Sequence, residues 1–194
     1  MARPVEFDRE KVLQEAMLQF WRLGYHKTSI RDLTTATQLK PGSLYGAFEN
    51  KHNLFLRSLD YYADQLKQFV DSVLHSDKPP LARIRLFFEH LLNEMADDPE
   101  GKGCLLVNTL LETPPEDEEI NQRASQALSY VEHRFHEVLA EAQARGEVDS
   151  GKDSATLARL LMTGIFGLRV YHRMRPQREE LDAIVDSLLS SMGK

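Results

Sequence analysis

The 194-residue chain has a single cysteine, so no disulfide can form within it. A lone thiol fits a reducing compartment better than a secreted, disulfide-stapled scaffold. Long apolar runs are missing as well, and no stretch approaches the roughly 20 residues that a membrane-spanning helix needs. The opening Met1-Ala2-Arg3-Pro4-Val5-Glu6-Phe7-Asp8 lacks the apolar core of a secretory signal. The expected location is therefore the cytoplasm, with no membrane partner. A Gly-rich phosphate loop and the strained serine turn of hydrolases are both absent, which removes the usual marks of an enzyme. His133 and His136 lie three residues apart with His172 elsewhere, a spacing that matches no familiar metal set, so neither metal nor cofactor is expected. No low-complexity run argues for disorder, and a hydrophobic fraction of 42% is enough for a packed core.

Excess positive charge is lacking too, since the net charge is −6. That total hides an asymmetry. Residues 1–57 hold nine Lys and Arg against six Asp and Glu, for a local charge of +3. The remaining residues hold 15 against 24, for −9. A basic head on an acidic body directs one end of the chain toward polyanions and keeps the rest away.

Helical periodicity runs through every long segment, and strand-like alternation through none. A first helix is expected from Asp8, a good cap, to Gly24, a good stop, burying Val12, Leu13, Ala16, Met17 and Phe20. Ser29 and Asp32 have the spacing of a capping box for a second, short helix with Ile30, Leu33 and Ala36 on one face. That helix cannot run far, because Pro41 disfavours the helical region for the residue before it. Pro41 is also well placed to open a third helix to about Phe48, burying Leu44, Ala47 and Phe48. Lys40, Ser43, Tyr45 and Gly46 are left facing outward. A short apolar helix crossed by another with a polar, hydroxyl-bearing face is the helix-turn-helix arrangement, which reads duplex DNA.

A long fourth helix is expected from about Asn50 to His75, linking head to body, and Pro79-Pro80 opens a fifth that Asp97 to Gly101 breaks. A short helix from Cys104 to about Leu111 ends at Thr113-Pro114-Pro115. Further helices follow over about 116–145, 153–173 and 178–191. The expected fold is all-α with eight or nine helices. A three-helix helix-turn-helix domain occupies residues 1–55, and a helical sensing and dimerisation domain occupies 56–194.

The first 60 or so residues resemble the DNA-binding region of the TetR family of bacterial transcriptional regulators. The resemblance rests on Phe20, Gly24 and Tyr25, on Thr28-Ser29-Ile30-Arg31-Asp32-Leu33, on Gly42-Ser43-Leu44-Tyr45, and on Phe48, Lys51, Leu54 and Phe55. Many relatives carry a larger side chain at the position of Gly46. Base contact there must come from Lys40, Ser43 or Tyr45, or from close backbone approach at Gly42 and Gly46. Thr28, Ser29, Tyr45 and Lys51 read as phosphate contacts, and Arg3 as a candidate for the adjacent minor groove. Packed-aromatic and solvated-cap readings stand beside these for Tyr45 and Lys51, and a frayed terminus for Arg3.

The resemblance implies a homodimer in which the last two helices form a four-helix interface. The apolar stripes that would supply it are Leu157, Leu161, Gly164 and Leu168 with Ile184 and Leu188. Dimerisation has its own motive, since one short reading helix spans too few bases for specific binding. In the body, Phe88, Asn108, Glu112 and Phe166 are candidate ligand contacts. Cys104 lies at a predicted helix start after Lys102-Gly103. A helix start and a nearby cation both favour a thiolate, and the Gly-Cys-Leu segment is similar to that of electrophile- and oxidant-responsive regulators. The same residue could equally be a small buried hydrophobe. The expected function is a repressor released from a pseudo-palindromic operator by a small apolar inducer or by modification of Cys104. A helical small-molecule-binding protein with a vestigial DNA head is the alternative. An enzyme using Cys104 with His90 or His133 is the distant third.

Overall fold

The computed structural model describes residues 7–174 and 177–193. Among the described residues the chain forms nine helices and no strand. The first helix, α1, spans Arg9–Leu23. Asp8 caps it by accepting from the backbone N–H groups of Glu10 and Lys11 at 3.0 and 3.2 Å. Gly24 ends it at φ +83°, donating its own N–H to the Phe20 carbonyl at 2.8 Å. Next come α2, Ile30–Thr37, and α3, Pro41–Phe48. Gln38 makes the turn between them in the left-handed region (φ 56°, ψ 21°), a conformation seldom taken by residues other than glycine. The long helices are α4, Lys51–Leu74, α5, Pro80–Ala96, α7, Glu118–Ala144, and α8, Ser154–Met174. Between them lie the short α6, Leu105–Glu112, and the closing α9, Arg178–Ser190. None of the helices is long and apolar enough to cross a membrane, among the described residues.

Packing divides the chain into two compact units. One holds residues up to Gln65 together with Cys104–Gln126, and the other holds Leu66–Gly103 and Ala127–Lys194. This differs from a division at residue 55, because α6 and the first turns of α7 fold with the three-helix head. Apolar contact is the reason. The core of the first unit joins Val12, Ala16, Met17 and Phe20 of α1 to Leu33, Leu44, Phe48, Phe55 and Leu59. It also takes in Leu105, Leu106, Ile120 and Ala124 from the later segment. Phe20 meets the edge of Phe55 at 4.8 Å between centroids, and Tyr25 covers Phe55 at 4.7 Å. Burying each such side chain contributes about 1.5–3 kcal/mol.

The second unit packs α5, α8 and α9 with the latter parts of α4 and α7 around Phe88, Leu92, Phe135, Leu139, Ala158 and Leu161. At the margin of this core a buried arginine pairs with a partly exposed carboxylate. The Arg83 guanidinium donates to the Leu74 carbonyl at 2.8 Å and to the Glu141 carboxylate. The carboxylate matters to the guanidinium rather than the reverse, because it is Arg83 that is buried and would be left with an uncompensated charge.

Candidate nucleic-acid interface

The reading motif is fixed by polar ties at one end and apolar anchors at the other. At the start of α2, the Ser29 Oγ accepts from the Asp32 N–H at 3.1 Å. Asp32 Oδ2 accepts from the Ser29 N–H at 2.8 Å and from its hydroxyl at 2.6 Å. These bonds hold the Asp32 carboxyl below the usual carboxylate range. Leu44 and Phe48 bury one side of α3. Its other side presents Lys40, Pro41, Gly42, Tyr45 and Gly46 to solvent, with Ser43 half-buried at the margin. Tyr45 is 42% exposed, which disposes of the packed-aromatic reading for the free chain. A Cβ added at Gly42 or Gly46 would meet nothing within 4 Å, so protein packing does not require glycine at either position. The pair leaves a bare strip of backbone on the outward face, one helical turn apart.

Two expected phosphate contacts are committed elsewhere. Thr28 is 1% exposed, and its hydroxyl donates to the Gly24 carbonyl at 2.6 Å, so it ties the α1–α2 turn together rather than facing outward. The Ser29 hydroxyl is engaged in the capping box. The Lys51 ammonium rests over the Tyr25 ring at 4.6 Å from its centroid, a cation–π contact. Burial lowers the pKa of this lysine, with the Glu112 carboxylate opposing the shift. Arg3 lies outside the described residues. Behind α3, a polar cleft of about 250 Å³ is lined by Arg9, Arg57 and Arg123 with Glu49 and Glu119. Arg9 stacks over Phe48 at 5.1 Å and so adds a cation close to the reading helix.

The candidate sensor residues are divided between the two units. Cys104, which caps α6, and Asn108 and Glu112 on α6 lie in the first. Cys104 is the residue just before α6, is 7% exposed, and its Sγ accepts from the Tyr62 hydroxyl at 3.8 Å. Tyr62 in turn meets Trp21 edge-on at 5.1 Å. The Lys102 ammonium is held by Asp98 at 2.7 Å, a pairing that raises its pKa. A cavity of about 170 Å³ in the first unit is lined by Phe20, Trp21, Tyr25, Leu105, Asn108 and Glu112, among others. Phe88 belongs to the second unit, where it is fully buried, and Phe166 packs at the edge of the same core. The Glu112 carboxylate, read from the sequence as a ligand contact, accepts from the His26 N–H at 2.8 Å.

The leucines of the stripe read from α8 as an interface face inward. Leu157, Leu161 and Leu168 are buried in the chain's own core, with Leu161 wholly inaccessible. Gly164 serves an internal approach, since a Cβ there would lie 2.7 Å from a methyl of Leu188. Of the expected set only Ile184 is exposed, at 38%. The outward face of α8 instead carries Leu160, Thr163, Gly167, Val170 and Met174, and that of α9 carries Ala183, Ile184 and Ser187. The stripe of leucines obscured this second, weaker pattern at the same three-four spacing.

Comparison with known proteins agrees with this geometry. Residues 12–57 match the model for bacterial regulatory proteins of the tetR family, and residues 80–188 match that for tetracyclin repressor-like C-terminal domains. The chain is 30% identical over 188 residues to the HTH-type transcriptional repressor ComR of Escherichia coli K12, covering 96% of this chain and 90% of that protein. A solved structure of the TetR family transcriptional regulator CifR, a cysteine mutant complexed with 26-base-pair operator DNA, superposes with a TM-score of 0.81. It is 30% identical, over 97% of this chain and 98% of that one. A TetR regulator from Chloroflexus aurantiacus superposes with a TM-score of 0.83 at 26% identity, over 94% and 92% of the two chains.

Proposed function

The chain belongs to the TetR family of bacterial transcriptional regulators, and from that premise we propose that it is a homodimeric repressor of a pseudo-palindromic operator. The observation that carries the reading is the outward face of α3. Its exposed Lys40, Tyr45 and glycine strip sit on a helix pinned from behind by Leu44 and Phe48. Such a face offers a cation and a hydroxyl to the duplex and allows the backbone to come close to base edges at Gly42 and Gly46. Each α3 enters one major groove, and Lys51 and Tyr45 reach flanking phosphates. Relatives named as repressors, ComR and DhaR, support the direction of control, and the operator complex of CifR supports the duplex as partner.

Pairing two heads uses the exposed face of α8 and α9, where Leu160, Gly167, Val170 and Ile184 are apolar or small. The bare Gly167 lets a second helix approach closely. Release follows when a small apolar molecule binds the body, or when Cys104 is modified, and the separation of the two heads changes. For this to work the inducer must bind the DNA-incompetent arrangement more tightly. A gel shift with the promoter of the protein's own gene tests the reading. A retarded complex that dissolves on addition of an inducer supports it, and the absence of any complex rejects it. The Cys104→Ser protein is expected to bind the same DNA. If it also releases that DNA on electrophile treatment, modification of Cys104 is not the trigger.

A further inference from the structure

Glu112 lies 86 residues beyond the α1–α2 turn in sequence, yet its carboxylate sits inside that turn. Oε1 accepts from the His26 N–H at 2.8 Å. A Cβ built at Gly24 would lie 2.8 Å from the Glu112 carboxyl carbon, so a side chain there would displace this carboxylate from the turn, and the φ of +83° favours glycine as well. The same turn is closed from within by the Thr28 hydroxyl and N–H, both donating to the Gly24 carbonyl. Beside it stands Lys51, over Tyr25 and within the field of Glu112. We propose that Glu112 is a positioning residue for operator binding: it clasps the α1–α2 turn and so sets where α2 begins and how Lys51 is presented.

Three features favour a clasp over an incidental surface contact. The acceptor is a charged group meeting a backbone N–H that neither α1 nor α2 bonds internally, and such bonds are the stronger kind. The space for the carboxylate exists only because residue 24 lacks a side chain. Finally, the start of α6 is itself anchored in the same unit, with Leu105 and Leu106 buried and Cys104 against Tyr62. The DNA-reading unit is therefore incomplete at residue 57. This inference rests on the operator-binding reading above, and it supplies a route by which a displacement of α6 reaches the turn.

The test compares full-length Glu112→Gln, Glu112→Asp and Glu112→Ala with the parent protein, in operator titrations and in amide hydrogen exchange. Gln keeps the reach and an acceptor oxygen but loses the charge, whereas Asp keeps the charge but falls one carbon short. The clasp predicts that Gln binds operator within about threefold of the parent, while Asp and Ala weaken binding about tenfold, as expected for losing a hydrogen bond to a charged group. It also predicts that protection is lost at the His26 amide in Asp and Ala while amides inside α3 keep theirs. Parent-like affinity and His26 protection in the Asp variant overturn the clasp, and so does an inverted order in which Gln is the weak binder. Failure of the parent protein to bind any operator would reject the functional reading itself and is recognised before any variant is made.

Discussion

The two compact units use opposite means to hold similar helices. In the first, α2 and α3 are only eight residues each; the start of α2 is secured by polar ties (a capping box at Ser29 and Asp32, the Thr28 hydroxyl on Gly24, and the Glu112 carboxylate in the turn), while α3 opens on Pro41 and is anchored by Leu44 and Phe48. In the second, α8 runs 21 residues beside the latter part of α7, and a continuous apolar core dominates. Short helices are marginal on their own, so a unit that must display one in a fixed pose needs its ends pinned.

That contrast can be broken or sharpened by substitution. The largest effect is expected for Leu161→Ala, which opens a cavity in the second core and should cost about 2–5 kcal/mol in denaturant unfolding while leaving the proposed dimer surface intact. On the same helix, Gly167→Glu faces outward and should barely change folding. It should give a monomer by sedimentation and weaken operator binding by about 100-fold or more, because the second head is no longer held at high effective concentration. If both variants affect folding alike and neither affects association, the division between buried and outward faces of α8 is wrong. In the head, Lys51→Ala should lower operator affinity about tenfold at low salt and reduce the salt slope by about one.

Smaller effects separate display from stability. Gly46→Ala adds a side chain where nothing is nearby, so it should raise stability by about 0.5–1 kcal/mol. If DNA approaches the bare strip closely, the same change should weaken operator binding. A variant that is both more stable and a tighter binder would contradict the role given to the strip. The smallest effect concerns acid. The folded pKa of Asp32 is held below its unfolded value by the Ser29 bonds, so its contribution is complete above the ordinary carboxylate range. It is lost as pH falls through the folded value. Asp32→Asn should therefore narrow its Tm difference from the parent as the solution is acidified, measured by thermal melts across that range.

The head was the more legible unit in the sequence. Capping residues, Pro41 and glycine stops act locally, and their signals lie next to the structure they make. The starts and ends of α1, α2 and α3 follow them closely. What the sequence hid there is non-local: the burial of Thr28, the Lys51 contact with Tyr25, and the arrival of Glu112 from α6. The left-handed Gln38 was hidden for a different reason, since nothing in its side chain demands that conformation. In the body, periodicity gave the helices but not which apolar stripe stays inside. Leu157, Leu161 and Leu168 formed the stronger stripe, and a chain fills its own core with its strongest stripe first. The ion pair of Arg83 with Glu141 left no local trace at all.

The central claim is that a paired molecule reads a duplex through two copies of α3. Its most direct test is an anisotropy titration of the full-length protein against an inverted-repeat duplex from upstream of its own gene and a base-scrambled duplex of equal length, with stoichiometry from sedimentation. The account predicts two protomers per duplex and a preference for the inverted repeat of about 1,000-fold or more at physiological salt. Equal affinity for the two duplexes, or a one-to-one complex at saturation, would contradict it.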